Sequence, residues 1–126
     1  HPDVLADAQR VSGQTGGSAR HETSPKVAVE GADVVVTDTW VSMGQEDEAA
    51  DRSSPFVPYA IDSAAMALAD PKAVVLHCLP AYRGREIAAD VIDGPQSLVW
   101  DEAENRLHVQ KALLTWLLRA GKGAQT

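Results

Sequence analysis

An α/β fold, three layers deep in the order αβα around a mostly parallel sheet, is what the order of elements in this chain predicts. Two observations carry that expectation. The runs Ala32-Asp33-Val34-Val35-Val36-Thr37-Asp38 and Ala73-Val74-Val75-Leu76-His77 are continuous and aliphatic rather than alternating, the pattern of strands buried in a parallel sheet. Stretches with helical spacing separate and flank these runs, so the order reads strand, helix, strand, helix, strand, helix. At 126 residues the chain is one domain. A domain of that size buries roughly 65–70% of the surface its unfolded chain exposes.

The elements follow in order. Val4, Leu5, Ala8 and Val11 recur at helical spacing, so a helix is expected over 3–12, with Gly13 to end it. Gly16-Gly17 marks a turn, and a short polar strand is expected near 18–22. Pro25 suits the first turn of a helix through Glu30, closed by Gly31. The first strand follows, then a polar, acidic loop over 39–48 punctuated further on by Pro55 and Pro58. A helix is expected over 61–69, capped by Asp62 or Ser63, with Pro71 beyond it. After the second strand comes a helix over 84–91, stopped by Gly94-Pro95, and a third short strand at Leu98-Val99-Trp100. Asp101 and Glu104 resemble a capping box for a last helix. Its apolar stripe is Ala103, Leu107, Leu114, Leu117 and Leu118, with Arg119 and Lys122 near its end and Gly121 as a stop.

Composition excludes several classes. With 44% hydrophobic and 23% charged residues the chain is ordinary for a globular protein. A net charge of -7 argues against a nucleic-acid partner and against an anionic membrane surface. No apolar run approaches the length of a membrane span. The single cysteine, Cys78, excludes an internal disulfide and fits a reducing, cytoplasmic setting. The start at His1-Pro2-Asp3, without Met or a signal segment, reads as a cleaved or truncated chain.

Ligands of parallel α/β sheets bind beyond the carboxyl ends of the strands, where Asp38, Cys78 and Trp100–Asp101 are expected. Neighbouring parallel strands would bring Asp38 and Cys78 together. A thiol there can be a nucleophile, a proton acceptor or a metal ligand, although a single Cys beside Leu is ordinarily a small buried hydrophobe. His77 has a plain structural alternative as a hydrogen-bonded core imidazole. Asp38 can hold an ammonium group or simply cap a turn. The segment Ser42-Met43-Gly44-Gln45-Glu46-Asp47-Glu48 can approach a ligand through Gly44 or be a solvated loop. Arg106 can clamp a carbonyl or phosphate oxygen or pair with Glu102 along the helix. Arg83 and Arg85 have the same plain alternative, an exposed Arg paired with a nearby acid. There is no Gly-rich phosphate-binding motif.

Three segments taken together resemble the ornithine carbamoyltransferases: Asp38-Thr39-Trp40-Val41-Ser42-Met43-Gly44-Gln45-Glu46, His77-Cys78-Leu79-Pro80 and Glu104-Asn105-Arg106-Leu107-His108. The resemblance runs from about Gly31 to Leu118, and the Cys distinguishes it from the sibling aspartate carbamoyltransferases. It implies a two-domain enzyme of which residues 1–126 are an incomplete ornithine-binding domain, without the carbamoyl-phosphate domain and without the first strand of this one. It implies carbamoyl phosphate and L-ornithine as substrates, citrulline and phosphate as products, a place in arginine biosynthesis, and a homotrimer or multiple of trimers. No cofactor is implied. Asp38 and Ser42 would hold the α-amino group and the Met43 backbone the carboxylate. Cys78 would sit beside the attacking amine, with His77 orienting the cluster. The Leu79 carbonyl would accept from the carbamoyl NH2, and Arg106 would polarise the carbamoyl oxygen. Tyr82 departs from the His of many relatives, and the Ser-Thr-Arg-Thr phosphate motif is absent. An isolated chain of this kind is expected to be inactive. The alternatives are an amino-acid-binding fragment without catalysis, or a carbamoyltransferase for putrescine or acylated ornithine.

Overall fold

The computed structural model describes residues 1–41 and 54–123. In chain order they form α1 (Pro2–Thr15), α2 (Pro25–Val29), β1 (Val34–Thr37), a 3-10 turn (Ser54–Tyr59), α3 (Ser63–Met66), β2 (Val74–His77), α4 (Ala89–Ile92) and α5 (Val99–Gly123). β1 and β2 pair in parallel, Val34 opposite Val74 through to Thr37 opposite His77. The expected α/β class with a parallel sheet is the class the chain adopts.

Alternation across the sheet decides where the core lies. Val35, Val75 and His77 point to one face and are buried. There they meet Val29, Met66 and Ala69 from the α2–α3 side and Ile87, Val91 and Ile92 from the α4 side. On the other face Val34 and Val36 are exposed, while Leu76 faces a crevice it shares with Leu98 and Val109 of the α5 region. Two-sided burial, expected of both strands, is therefore realised only in part: among the described residues the outer face of β1 is uncovered.

Several element expectations need correction. The third strand does not form. Ser97 makes one isolated parallel bridge to Val75, with Val75 N–H donating to the Gln96 carbonyl and Leu98 N–H to the Val75 carbonyl. Val99, fully buried in the core, then opens α5. Asp101 thus lies inside the first turn, where its charge suits the helix dipole, and it is not a cap. The helix expected over 84–91 shrinks to α4, because the backbone there bonds elsewhere: Ile61 N–H donates to the Glu86 carbonyl and Ala88 N–H to the Ile61 carbonyl. Residues 18–22 form no strand. α1 runs past Gly13 and ends at Gly16, whose φ of 77° permits the left-handed cap that a side chain would disfavour. Of the two caps considered for α3, Asp62 is the one used, its carboxylate accepting from Ala65 N–H at 2.8 Å.

Candidate functional site

The residues one step beyond the sheet come together. Each residue of β1 faces the residue forty positions later, and Asp38 and Cys78 extend that offset one rung past the ladder. Cys78 Sγ donates to Asp38 Oδ1 at 3.1 Å. The same oxygen accepts from Thr39 N–H at 2.6 Å, and Thr39 Oγ1 donates to the Val41 carbonyl at 3.1 Å. A compact turn therefore presents Asp38 to the thiol. Cys78 is exposed, so the buried-hydrophobe alternative does not hold.

The electrostatics of the pair are mutual. The thiol hydrogen bond and then the Thr39 N–H hold the Asp38 carboxyl below the usual carboxylate range. The bond to Asp38 raises the Cys78 thiol, and burial and the Asp38 and Glu102 charges raise it further. At neutral pH the arrangement is a carboxylate accepting from a protonated thiol. Such a thiol is a donor and not a ready nucleophile.

His77 lies beneath this pair and is wholly buried. Leu79 N–H donates to its Nδ1 at 2.9 Å, so Nδ1 presents a lone pair and the ring proton sits on Nε2. Nε2 then donates to Glu86 Oε1 at 3.3 Å. Glu86, 1% exposed, also accepts from Tyr82 N–H through the same oxygen. His77 and Glu86 thus tie both ends of the segment 77–86 to the core. Leu79 takes a left-handed backbone with φ of 57°, strained for a side-chain-bearing residue, and the bond from its N–H to His77 helps to hold it there. His77 is a core imidazole that also shapes the Cys78–Leu79 turn.

Arg106 stands on the exposed side of α5. It lines a crevice of about 720 Å³ with Leu76, His77, Cys78, Glu102 and Asn105. It also borders a second crevice of about 570 Å³ with Cys78, Leu79 and Trp100. Arg83 is committed elsewhere, through two hydrogen bonds of 2.8 and 2.7 Å to Asp93. Ser42 and Met43 lie outside the described residues. Among the described residues no group of three or more His, Cys, Asp or Glu side chains could hold a metal.

Glu86 and Thr39 are the members that reading the sequence passed over. Glu86 falls in a segment read as helix, where an acid reads as solvated. The signal against that reading was Gly84, whose φ of 81° breaks the helix before it starts.

Residues 1–117 match the family model described as "Aspartate/ornithine carbamoyltransferase, Asp/Orn binding domain". The chain is 67% identical over 115 residues to an ornithine carbamoyltransferase of Renibacterium salmoninarum, a match covering 91% of this chain and 37% of that protein. It is 61% identical over 125 residues to an ornithine carbamoyltransferase of Bifidobacterium longum subsp. infantis, covering 99% and 39%. Among solved structures, ornithine carbamoyltransferase from Pyrococcus furiosus superposes with a TM-score of 0.84 at 46% identity, covering 90% of this chain and 36% of that one. The chain therefore spans less than two fifths of the length of these relatives.

Proposed function

Because the chain belongs to the aspartate/ornithine carbamoyltransferase family, in its amino-acid-binding domain, we propose that it is the ornithine-binding portion of an ornithine carbamoyltransferase. The reaction moves the carbamoyl group of carbamoyl phosphate to the side-chain amine of L-ornithine, giving L-citrulline and phosphate. The observation that carries this reading is the Asp38–Cys78 contact of 3.1 Å at the carboxyl end of the sheet.

The chemistry that this geometry suits is amine acylation. Ornithine's side-chain ammonium has an ordinary pKa near 10, as for Lys, and must lose a proton before it attacks. Asp38, kept ionised, attracts that ammonium, and the Asp38–Cys78 pair beside the amine helps to take its proton. Cys78 steers the amine by hydrogen bonding from beside it. The Leu79 carbonyl accepts from the carbamoyl NH2, in a position set by His77 and, behind it, Glu86. Arg106 meets the negative charge that grows on the carbamoyl oxygen in the tetrahedral state. Asp38 and Ser42 hold the α-amino group, and the Met43 backbone holds the α-carboxylate.

In this reading residues 1–126 are part of the ornithine domain, and the phosphate-binding half of the site comes from sequence outside this chain. The β1 face, uncovered among the described residues, and the exposed leucines of α5 support a domain that works against further protein surface. We place the reaction in arginine biosynthesis, in the cytoplasm and in a trimeric assembly, on the strength of the family resemblance, with no cofactor required.

The test is citrulline formation by a full-length polypeptide carrying this domain, beside its Cys78→Ala variant. A fall in rate of about a hundredfold is expected, because the attacking amine loses the group that aligns it. An undiminished rate would remove Cys78 from the site, and faster turnover of putrescine or acylated ornithine would overturn the choice of substrate.

A further inference from the structure

Thr39 binds Asp38 through its backbone and Val41 through its hydroxyl. The residue between them, Trp40, turns its ring onto Phe56 of the 3-10 turn, with centroids 6.2 Å apart and planes 24° from parallel. Offset stacking of this kind adds to simple burial. The 3-10 turn is fixed at its far end too, since Tyr59 Oη donates to the Thr23 carbonyl at 3.1 Å. Phe56 is thus an anchored platform, and Trp40 is the link from it to the turn that presents Asp38.

We propose that Trp40 and Phe56 are a positioning pair, whose stacked rings hold the 38–41 turn so that Asp38 stays within hydrogen-bond reach of Cys78 Sγ. Neither ring lines the crevices that Cys78 borders, and both act through Asp38. Without the stack, the Thr39–Val41 turn keeps its internal hydrogen bonds and its buried Val41 but loses the tether at its middle residue, and Asp38 samples positions away from Cys78 more often. The bearing on catalysis rests on the transferase reading above; the geometric claim does not.

Cys78 is the only cysteine, so alkylation reports on this one thiol. Other charged or titratable groups surround it: His77 beside it, and Asp101, Glu102 and Arg106 on α5. Arg83 borders it from the loop, with its charge met by Asp93. All of these are unchanged by substitution at Phe56, so a shift in the thiol profile on that substitution is read through Asp38.

The experiment is the rate of iodoacetamide alkylation of the 126-residue chain from about pH 6 to about pH 10, spanning the ordinary thiol range. Wild type is compared with Phe56→Ala, Phe56→Tyr and Asp38→Asn, each checked for folding by circular dichroism. Phe56→Ala is expected to react about fivefold faster at neutral pH, the equivalent of one lost hydrogen bond. Its profile should move to lower pH, toward that of Asp38→Asn. Phe56→Tyr, which keeps a ring to stack, should return to the wild-type profile. Should the Ala variant lose its fold, Phe56→Leu, which keeps volume without a ring, is expected to show the same acceleration. A Phe56→Ala or Phe56→Leu profile that overlies wild type while Asp38→Asn is shifted would overturn the proposal. So would an unshifted Asp38→Asn. No citrulline is measured, so failure of the transferase reading leaves either outcome intact.

Discussion

At the scale of single residues, the Asp38–Cys78 contact makes stability depend on pH from both sides. Asp38 titrates lower in the folded chain than its ordinary value of about 4, so its contribution is present above that value and fades as pH falls through the lowered one. Cys78 titrates higher than its ordinary value of about 8.5, so its contribution is present below that value and fades as pH rises through the raised one. The difference in urea midpoint between wild type and Asp38→Asn should therefore be flat between about pH 4 and about pH 8.5 and shrink beyond either edge. A difference that grew on acidification would contradict the direction of the Asp38 shift. Beneath them, Glu86 accepts from both His77 and Tyr82 in a dry setting. Glu86→Ala leaves the buried His77 Nε2 and the part-buried Tyr82 N–H unmet and is expected to cost about 1–3 kcal/mol in urea denaturation. Glu86→Gln, which retains an acceptor oxygen, should cost distinctly less. Equal losses would mean that Glu86 acts by volume and not as an acceptor.

At the scale of elements, the core side of the sheet and its outer side should respond differently. Ile92 is 1% exposed and packs in the cluster with Val75 and Val99. Ile92→Ala should cost about 2–5 kcal/mol, whereas Leu118→Ala, at a residue 69% exposed on α5, should stay within about 0.5 kcal/mol. Comparable losses would show that α5 is packed more tightly than its exposure states. The same contrast explains what the sequence made legible. Val34–Thr37 and Val74–His77 were readable because aliphatic runs of this kind have few other homes, and with the strands read, the Asp38–Cys78 adjacency needed only parallel neighbours. Leu98-Val99-Trp100 misled because a short apolar run does not distinguish a strand from the buried first turn of a helix. Glu86 misled because its partners, the Tyr82 backbone and His77, are a matter of tertiary placement. The platform under Trp40 was illegible for the same reason, since nothing local pairs position 40 with position 56.

At the scale of the whole molecule, order should fall off along α5. Its first turns touch β2, but Leu107, Leu114 and Trp116 farther on are 66, 61 and 64% exposed. A helix with so little tertiary support depends on its own marginal propensity. Hydrogen exchange on this chain should show strong protection at Val75 and its β2 neighbours, with exchange many-fold faster from about Leu107 onward. Uniform protection along α5 would mean that its far half is stabilised by something other than the rest of this fold. The forty-residue offset of the ladder also has a consequence in time. Chains emerge at roughly 5–20 residues per second, so Asp38 leaves synthesis some 2–8 s before Cys78 follows it. Through that interval the acid, the turn that presents it and β1 all exist without the strand that completes them. The Asp38–Cys78 contact therefore waits for the crossover to close, and Glu86 and Arg106 join it later still.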